Sequence, residues 1–179
     1  MIRLFAALPT PDDIADRLLP LQTGLNGARW REREHFHMTL AFYGVMSEPV
    51  AEELDAAIGE IAAPQFDMEI AGVGWFGRKE PGSLYATVKP DPAMERLAAD
   101  CRKLIRRFGL TPDDKPFKPH ITLAYCRDAL LADVMAWSER WQVLRAGPWT
   151  ADRFHLVESI TREGKKSVYE AVAEYPLGL

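Results

Sequence analysis

The chain has 179 residues, 47% hydrophobic and 27% charged, with a formal net charge of −4 and a pI near 5.6. That is enough apolar material to bury a proper core and too much for a disordered segment. The balance excludes a coat protein for nucleic acid, which needs a broad basic footprint, and no apolar run approaches the ~18–20 residues that cross a bilayer.

Ile2 to Leu8 reads as a strand. Thr10-Pro11-Asp12-Asp13 then offers a cap, a proline for the first helical position and acids for the first turn. Arg29, Arg31 and Arg33 alternate ahead of a second strand, which opens on His37-Met38-Thr39-Leu40-Ala41. A helix over about Pro49 to Ala62 and a strand over Phe66 to Gly74 follow. The Gly72 to Gly82 stretch, with Arg78-Lys79, is loose, but Trp75 and Phe76 make it too apolar for a free tether. Leu84 to Val88 is the next strand, and Asp91-Pro92 starts a helix. Its apolar positions Met94, Leu97, Ala98, Cys101, Leu104, Ile105 and Phe108 have helical spacing, and Gly109 stops it. Lys115 and Lys118 lead into His120-Ile121-Thr122-Leu123-Ala124. A helix over about Asp128 to Trp141 and strands over Phe154 to Thr161 and Ser167 to Glu174 complete the chain.

The phrase His-x-Thr-Leu-Ala thus occurs twice, although the chain has only 4 histidines. Each copy follows a strand and a helix at nearly the same interval, which indicates an internal repeat. The expected organisation is one domain over 1–179. Its lobes cover about 1–75 and 84–161, and a C-terminal strand covers 167–174.

On a strand, side chains alternate between faces, so His37 shares a face with Thr39, and His120 with Thr122. Two such strands side by side present two imidazoles and two hydroxyls to one small anion. In-line displacement at phosphorus needs a base on one side and an acid on the other, and histidine near its ordinary pKa suits both tasks. The threonines would donate to the non-bridging oxygens. The basic residues beside both phrases would form a rim that guides a phosphate inward. The two cysteines, Cys101 and Cys126, make no C-x-x-C motif, and a reduced cytoplasmic setting is expected.

The chain resembles the two-histidine phosphoesterases, and within them the RNA 2′,3′-cyclic phosphodiesterases, which are 2′-5′ RNA ligase-like. The resemblance rests on Arg3-Leu4-Phe5-Ala6-Ala7-Leu8-Pro9, on Trp30 and Glu34, and on His37 through Phe42-Tyr43-Gly44. It continues in Lys118-Pro119-His120 through Ala124, Leu156-Val157-Glu158-Ser159, Gly164, Tyr169 and Tyr175-Pro176-Leu177. It implies a bilobal α+β fold, with two antiparallel sheets flanking a central cleft and helices outside. It implies opening of a 2′,3′-cyclic phosphate at an RNA end to a 2′-phosphate, with reversible 2′-5′ ligation as a companion reaction. His120 would be the general base and His37 the general acid, with no metal or cofactor and a monomeric chain. Thr39, Thr122 and Phe42 would bind substrate, which is RNA with a cyclic-phosphate end or a cyclic-phosphate nucleotide, and Lys118 or Arg127 is the candidate cation from the residues themselves.

Two positions depart from the pattern. Many members carry arginine directly after the second phrase, where this chain has Tyr125, with Arg127 two residues later. Strict alternation puts Tyr125 and Arg127 away from His120, so Arg127 serves only if the strand ends or bulges after Ala124. Lys118 lies on the His120 face by the same count. His35 shares a face with His37 and could be half of a metal site, although no further ligands appear at regular spacing. His155 reads as structural. Other readings are a non-catalytic nucleotide- or RNA-end-binding module and a metal-dependent phosphohydrolase.

Overall fold

The computed structural model describes residues 1–113, 115–161 and 167–178. In chain order its strands are β1 (Ile2–Pro9), β2 (Ala28–Trp30), β3 (His37–Met46), β4 (Phe66–Phe76), β5 (Ser83–Val88), β6 (His120–Cys126), β7 (Arg145–Ala151), β8 (Arg153–Ile160) and β9 (Val168–Pro176). The α-helices are α1 (Asp12–Leu18), α2 (Glu48–Gly59), α3 (Pro92–Arg107) and α4 (Leu131–Trp141). Gly164, one of the residues carrying the resemblance, lies outside the described residues.

α3 begins as its sequence requires. The Asp91 carboxylate accepts the amides of Ala93 at 2.7 Å and Met94 at 3.2 Å, satisfying donors that the first turn leaves unpaired. α1 differs from expectation. Pro11, with φ −59° and ψ 153°, takes the cap position and accepts the Ala15 amide at 2.9 Å. The Thr10 hydroxyl is instead buried, without a hydrogen-bond partner.

The fold is α+β, with two antiparallel sheets in the orders β3-β1-β8-β9 and β2-β6-β5-β4-β7. Neither sheet belongs to one half of the sequence. β4, which ends the first half of the repeat, pairs with β5 and β7, while β8, which ends the second half, pairs with β1. Each half therefore hands its third strand to the sheet begun by the other.

The helices are exchanged as well. α2 and α3 pack on the sheet that holds β1 and β3, and α1 and α4 pack against β7 and β4. This helix side holds the main core: Leu4, Leu8, Met38 and Leu40 meet Leu54, Ile58, Met94 and Leu97, all no more than 2% exposed. The opposite face of the first sheet carries a separate small cluster of Phe5, Ala7 and Val157, with Tyr169 packed against it. Burial of the helix face supplies the driving force for folding, leaving that other face free to line a site. Among the described residues, no helix is long and apolar enough to cross a membrane.

Candidate active site

The two histidine strands start alike. Met38 and Leu40 point into the core at 1% and 2% exposure, as do Ile121 and Leu123 at 1% and 0%. His37, Thr39, His120 and Thr122 are half-buried on the other face. Both strands then bulge at the same place. Opposite β1, Ala6 faces Ala41 and Ala7 faces Thr39, which leaves Leu40 unmatched. Opposite β5, Leu84 faces Ala124 and Tyr85 faces Thr122, which leaves Leu123 unmatched. One extra residue reverses the alternation. Ala41 and Ala124 therefore join the core, and Phe42 and Tyr125 swing onto the histidine face, 58% and 42% exposed. The strict alternation that sends Tyr125 away from His120 fails for this reason.

Each imidazole sits against two aromatic rings. Phe5 lies 4.9 Å from the His37 ring, and Tyr169 meets it edge-on at 5.5 Å. Tyr85 lies 5.2 Å from the His120 ring, and Phe76 meets it edge-on at 5.0 Å. Phe5 and Tyr85 hold matching places in the repeated strands β1 and β5. Gly74, in register with Tyr85, makes this packing possible, since a Cβ there would come within 2.6 Å of the tyrosine oxygen.

Each ring also hydrogen-bonds to the backbone of the residue two positions earlier. His120 Nδ1–H donates to the Lys118 carbonyl at 2.6 Å, and the His37 ring bonds to the backbone of His35. For His120 this fixes the proton on Nδ1 and leaves Nε2 free. Burial pushes the His37 imidazole down to about 4, helped by the positive charge of Arg31 and opposed by the hydrogen bond to His35. Charge on His120 also disfavours charge on His37, as the smallest of these influences. His120 is lowered too, first by burial and further by the Lys118 ammonium, against the raising effect of its carbonyl bond.

Thr39 and His120, one from each phrase, line a single recess of about 80 Å³ together with Phe42, Lys115, Phe117 and Lys118. A groove of about 360 Å³ runs from His37 past Tyr169 to His155. Lys118 Nζ lies over the Phe76 and Tyr85 rings at 5.4 and 5.0 Å. Arg127 is not brought to the histidines; its side chain is 87% exposed, 4.0 Å from Asp128. The His35 ring is committed elsewhere, its Nε2 donating to the Ser167 carbonyl at 2.9 Å. His155 pairs with Glu174 at 3.2 Å. Among the described residues, no group of three or more His, Cys, Asp or Glu side chains gathers as a metal site would require.

Sequence reasoning missed Phe5, Tyr85 and Phe76 as site residues, and had Arg31 only as one of several rim cations. Aligning Leu4-Phe5-Ala6 with Leu84-Tyr85-Ala86 would have found the first two. Phe76 on β4, and Arg31 just past the end of β2, reach the site only through long-range strand pairing.

The model of the 2′-5′ RNA ligase superfamily matches residues 10–163. The chain belongs to this superfamily. An RNA 2′,3′-cyclic phosphodiesterase of Aeropyrum pernix is 32% identical, over 90% of this chain and 92% of the relative. A protein of the same name from Escherichia coli is 30% identical over 71% of this chain and 72% of its own. Among solved structures, E. coli LigT complexed with 3′-AMP superimposes with a TM-score of 0.81 at 24% identity, covering 99% of each chain. A Thermus thermophilus protein does so at 0.77 and 25%, covering 97% of each.

Proposed function

We propose that the protein hydrolyses 2′,3′-cyclic phosphate ends of RNA, or cyclic-phosphate nucleotides, to 2′-phosphates. The observation that carries this reading is the pair of histidines, each sharing a face with a threonine, on duplicated strands that bulge at the same place. The names of its relatives supply the substrate class. His120 is neutral near neutrality with Nε2 free, which suits it to take a proton from water as that water attacks phosphorus. The bond from phosphorus to O3′ breaks on the opposite side, and His37 protonates the departing oxygen. Thr39 and Thr122 donate to the non-bridging oxygens, Lys118 adds charge beside His120, and Phe42 offers a ring for a base to stack on. Arg127, offered from the sequence as a substitute for the family's arginine, stands in solvent beside Asp128 and is given no binding role. With an RNA 5′-hydroxyl in place of water as the nucleophile, the same forward steps form a 2′-5′ linkage as the bond from phosphorus to O3′ breaks, and their reverse cleaves that linkage.

The test is a panel of mononucleotide and oligonucleotide 2′,3′-cyclic phosphates, with products resolved as 2′- or 3′-phosphates. Turnover to the 2′-phosphate is expected. Exclusive 3′-phosphate, or no turnover of any member, would overturn the reading.

A further inference from the structure

We propose that Arg31 is the cation that receives the substrate phosphate on the His37 side of the cleft, a role that rests on the hydrolytic reading above. Of the three alternating arginines, Arg33 is neutralised by Asp12 and Asp16. Arg29 is exposed, in register with Tyr125. Arg31 differs from both. Its guanidinium carbon stands 5.3 Å from the centroids of both Tyr125 and Tyr169, one ring from each sheet. No carboxylate among the described residues forms an ion pair with it. An arginine with no ion-pair partner among the described residues, held at the junction of two sheets beside a histidine, is suited to receive an anion.

The backbone places it there. β2 runs antiparallel to β6, and the Arg31 amide continues the ladder by donating to the Leu123 carbonyl at 2.8 Å. Leu123 is the bulged residue, and the bulge turns Tyr125 onto the histidine face beneath the guanidinium. Gly27, at φ +79°, lets β2 come this close, because a Cβ would fall 2.6 Å from the Arg127 carbonyl oxygen.

The chemistry suits a phosphate. Aromatic rings engage the faces of a guanidinium and leave its N–H groups, which lie in the plane, free for paired bonds to phosphate oxygens. Holding the long side chain between two rings removes rotamer freedom before the ligand arrives. The site then has one cation per histidine, Arg31 for His37 and Lys118 for His120, each seated on aromatic rings. Arrival of the anion also offsets the Arg31 charge that, after burial, helps to hold His37 deprotonated, so substrate binding favours the protonated acid.

The experiment compares Arg31→Ala, Arg31→Gln and the double variant Arg31→Ala/Tyr125→Arg, using a nucleoside 2′,3′-cyclic phosphate as substrate and inorganic phosphate as probe. Loss of a charged hydrogen bond is expected to raise KM and weaken phosphate binding, measured by calorimetry, by about 10–100-fold, with a smaller fall in kcat. Because Tyr125 lies directly beneath the guanidinium, arginine at 125 fills the same space and is expected to recover at least tenfold of the lost phosphate affinity. The His37 titration, followed by NMR, is expected to move upward in Arg31→Ala. Wild-type KM and phosphate affinity in folded Arg31→Ala and Arg31→Gln would overturn the assignment, as would a double variant no better than Arg31→Ala. Phosphate calorimetry judges Arg31 even if cyclic phosphates are not turned over, so the two proposals fail separately.

Discussion

His37 and His120 tether their rings in the same way, each to the backbone of the residue two positions before it. A flexible catalytic ring loses orientation, and this tether, with two flanking aromatics, holds the imidazole against the strand that carries it. His37→Ala and His120→Ala are each expected to lower kcat by about 10²–10⁴, the range for removing one general acid or base. The measurement is steady-state turnover of a cyclic-phosphate substrate by variants whose circular dichroism matches wild type. A single variant that keeps near-wild-type turnover would sink the two-histidine mechanism.

Both histidines titrate below their ordinary value, His37 near 4. The free enzyme therefore loses the proton needed by the acid as pH rises above that range, while the base takes up an unwanted proton as pH falls through its own lowered value. The kcat/KM optimum should fall on the acid side of neutrality, since that parameter reports the free enzyme. In the kcat profile the bound anion raises both values, so the optimum should move to higher pH. A kcat/KM optimum above about pH 8 would contradict this.

The same depression of His37 sets a stability window. The unfolded chain takes up this proton near pH ~6.5, the folded chain only near 4. Its contribution is therefore complete above the unfolded value and is lost as pH falls toward the folded one. His37→Asn should flatten the decline in Tm between these limits. An unchanged slope would mean that His37 is not the group responsible.

The two candidate cations near the second phrase should separate cleanly. Lys118→Ala is expected to raise KM several-fold with little change in kcat, as loss of uniform binding does. Arg127→Ala should leave both parameters unchanged, because its side chain stands in solvent beside Asp128. The reverse pattern would show that the segment after β6 rearranges when substrate binds.

Hydrolysis should survive dialysis against EDTA, because imidazoles and hydroxyls suffice for every proton transfer invoked. Loss of activity that zinc or manganese restores would refute the purely acid–base scheme.

The sequence made the repeat, the histidine phrases and most elements legible, because duplicated local patterns need no knowledge of distant partners. Two strands escaped. β2 is three residues long, with no alternation to read. β7 contains Gly147 and Pro148, which read as a turn. The inward or outward sense of Tyr125 was misjudged because a bulge leaves no composition signal; Leu123 and Ala124 look like ordinary strand residues until their partners on β5 are known. The aromatic pairs around each histidine depend on which strands lie side by side, a matter decided by tertiary pairing. Phe76 on β4 and Tyr169 on β9 could not be assigned to a histidine from order alone.

The reciprocal handing-over of third strands also bears on how the molecule is made. β1 emerges first, yet its partner β8 joins only through contacts such as Phe5 with Val157. Closing so long a loop carries an entropic penalty that must be met before the contact is rewarded, so pairings of this kind form slowly. Until then β1 and β3 present an open edge, and the His37 strand lacks half of its sheet. A nascent chain released before residue 160 would expose that edge to its neighbours, which makes truncation a route to aggregation rather than to a smaller working lobe. Assembly of the first histidine's surroundings must therefore wait for the last strands of the chain.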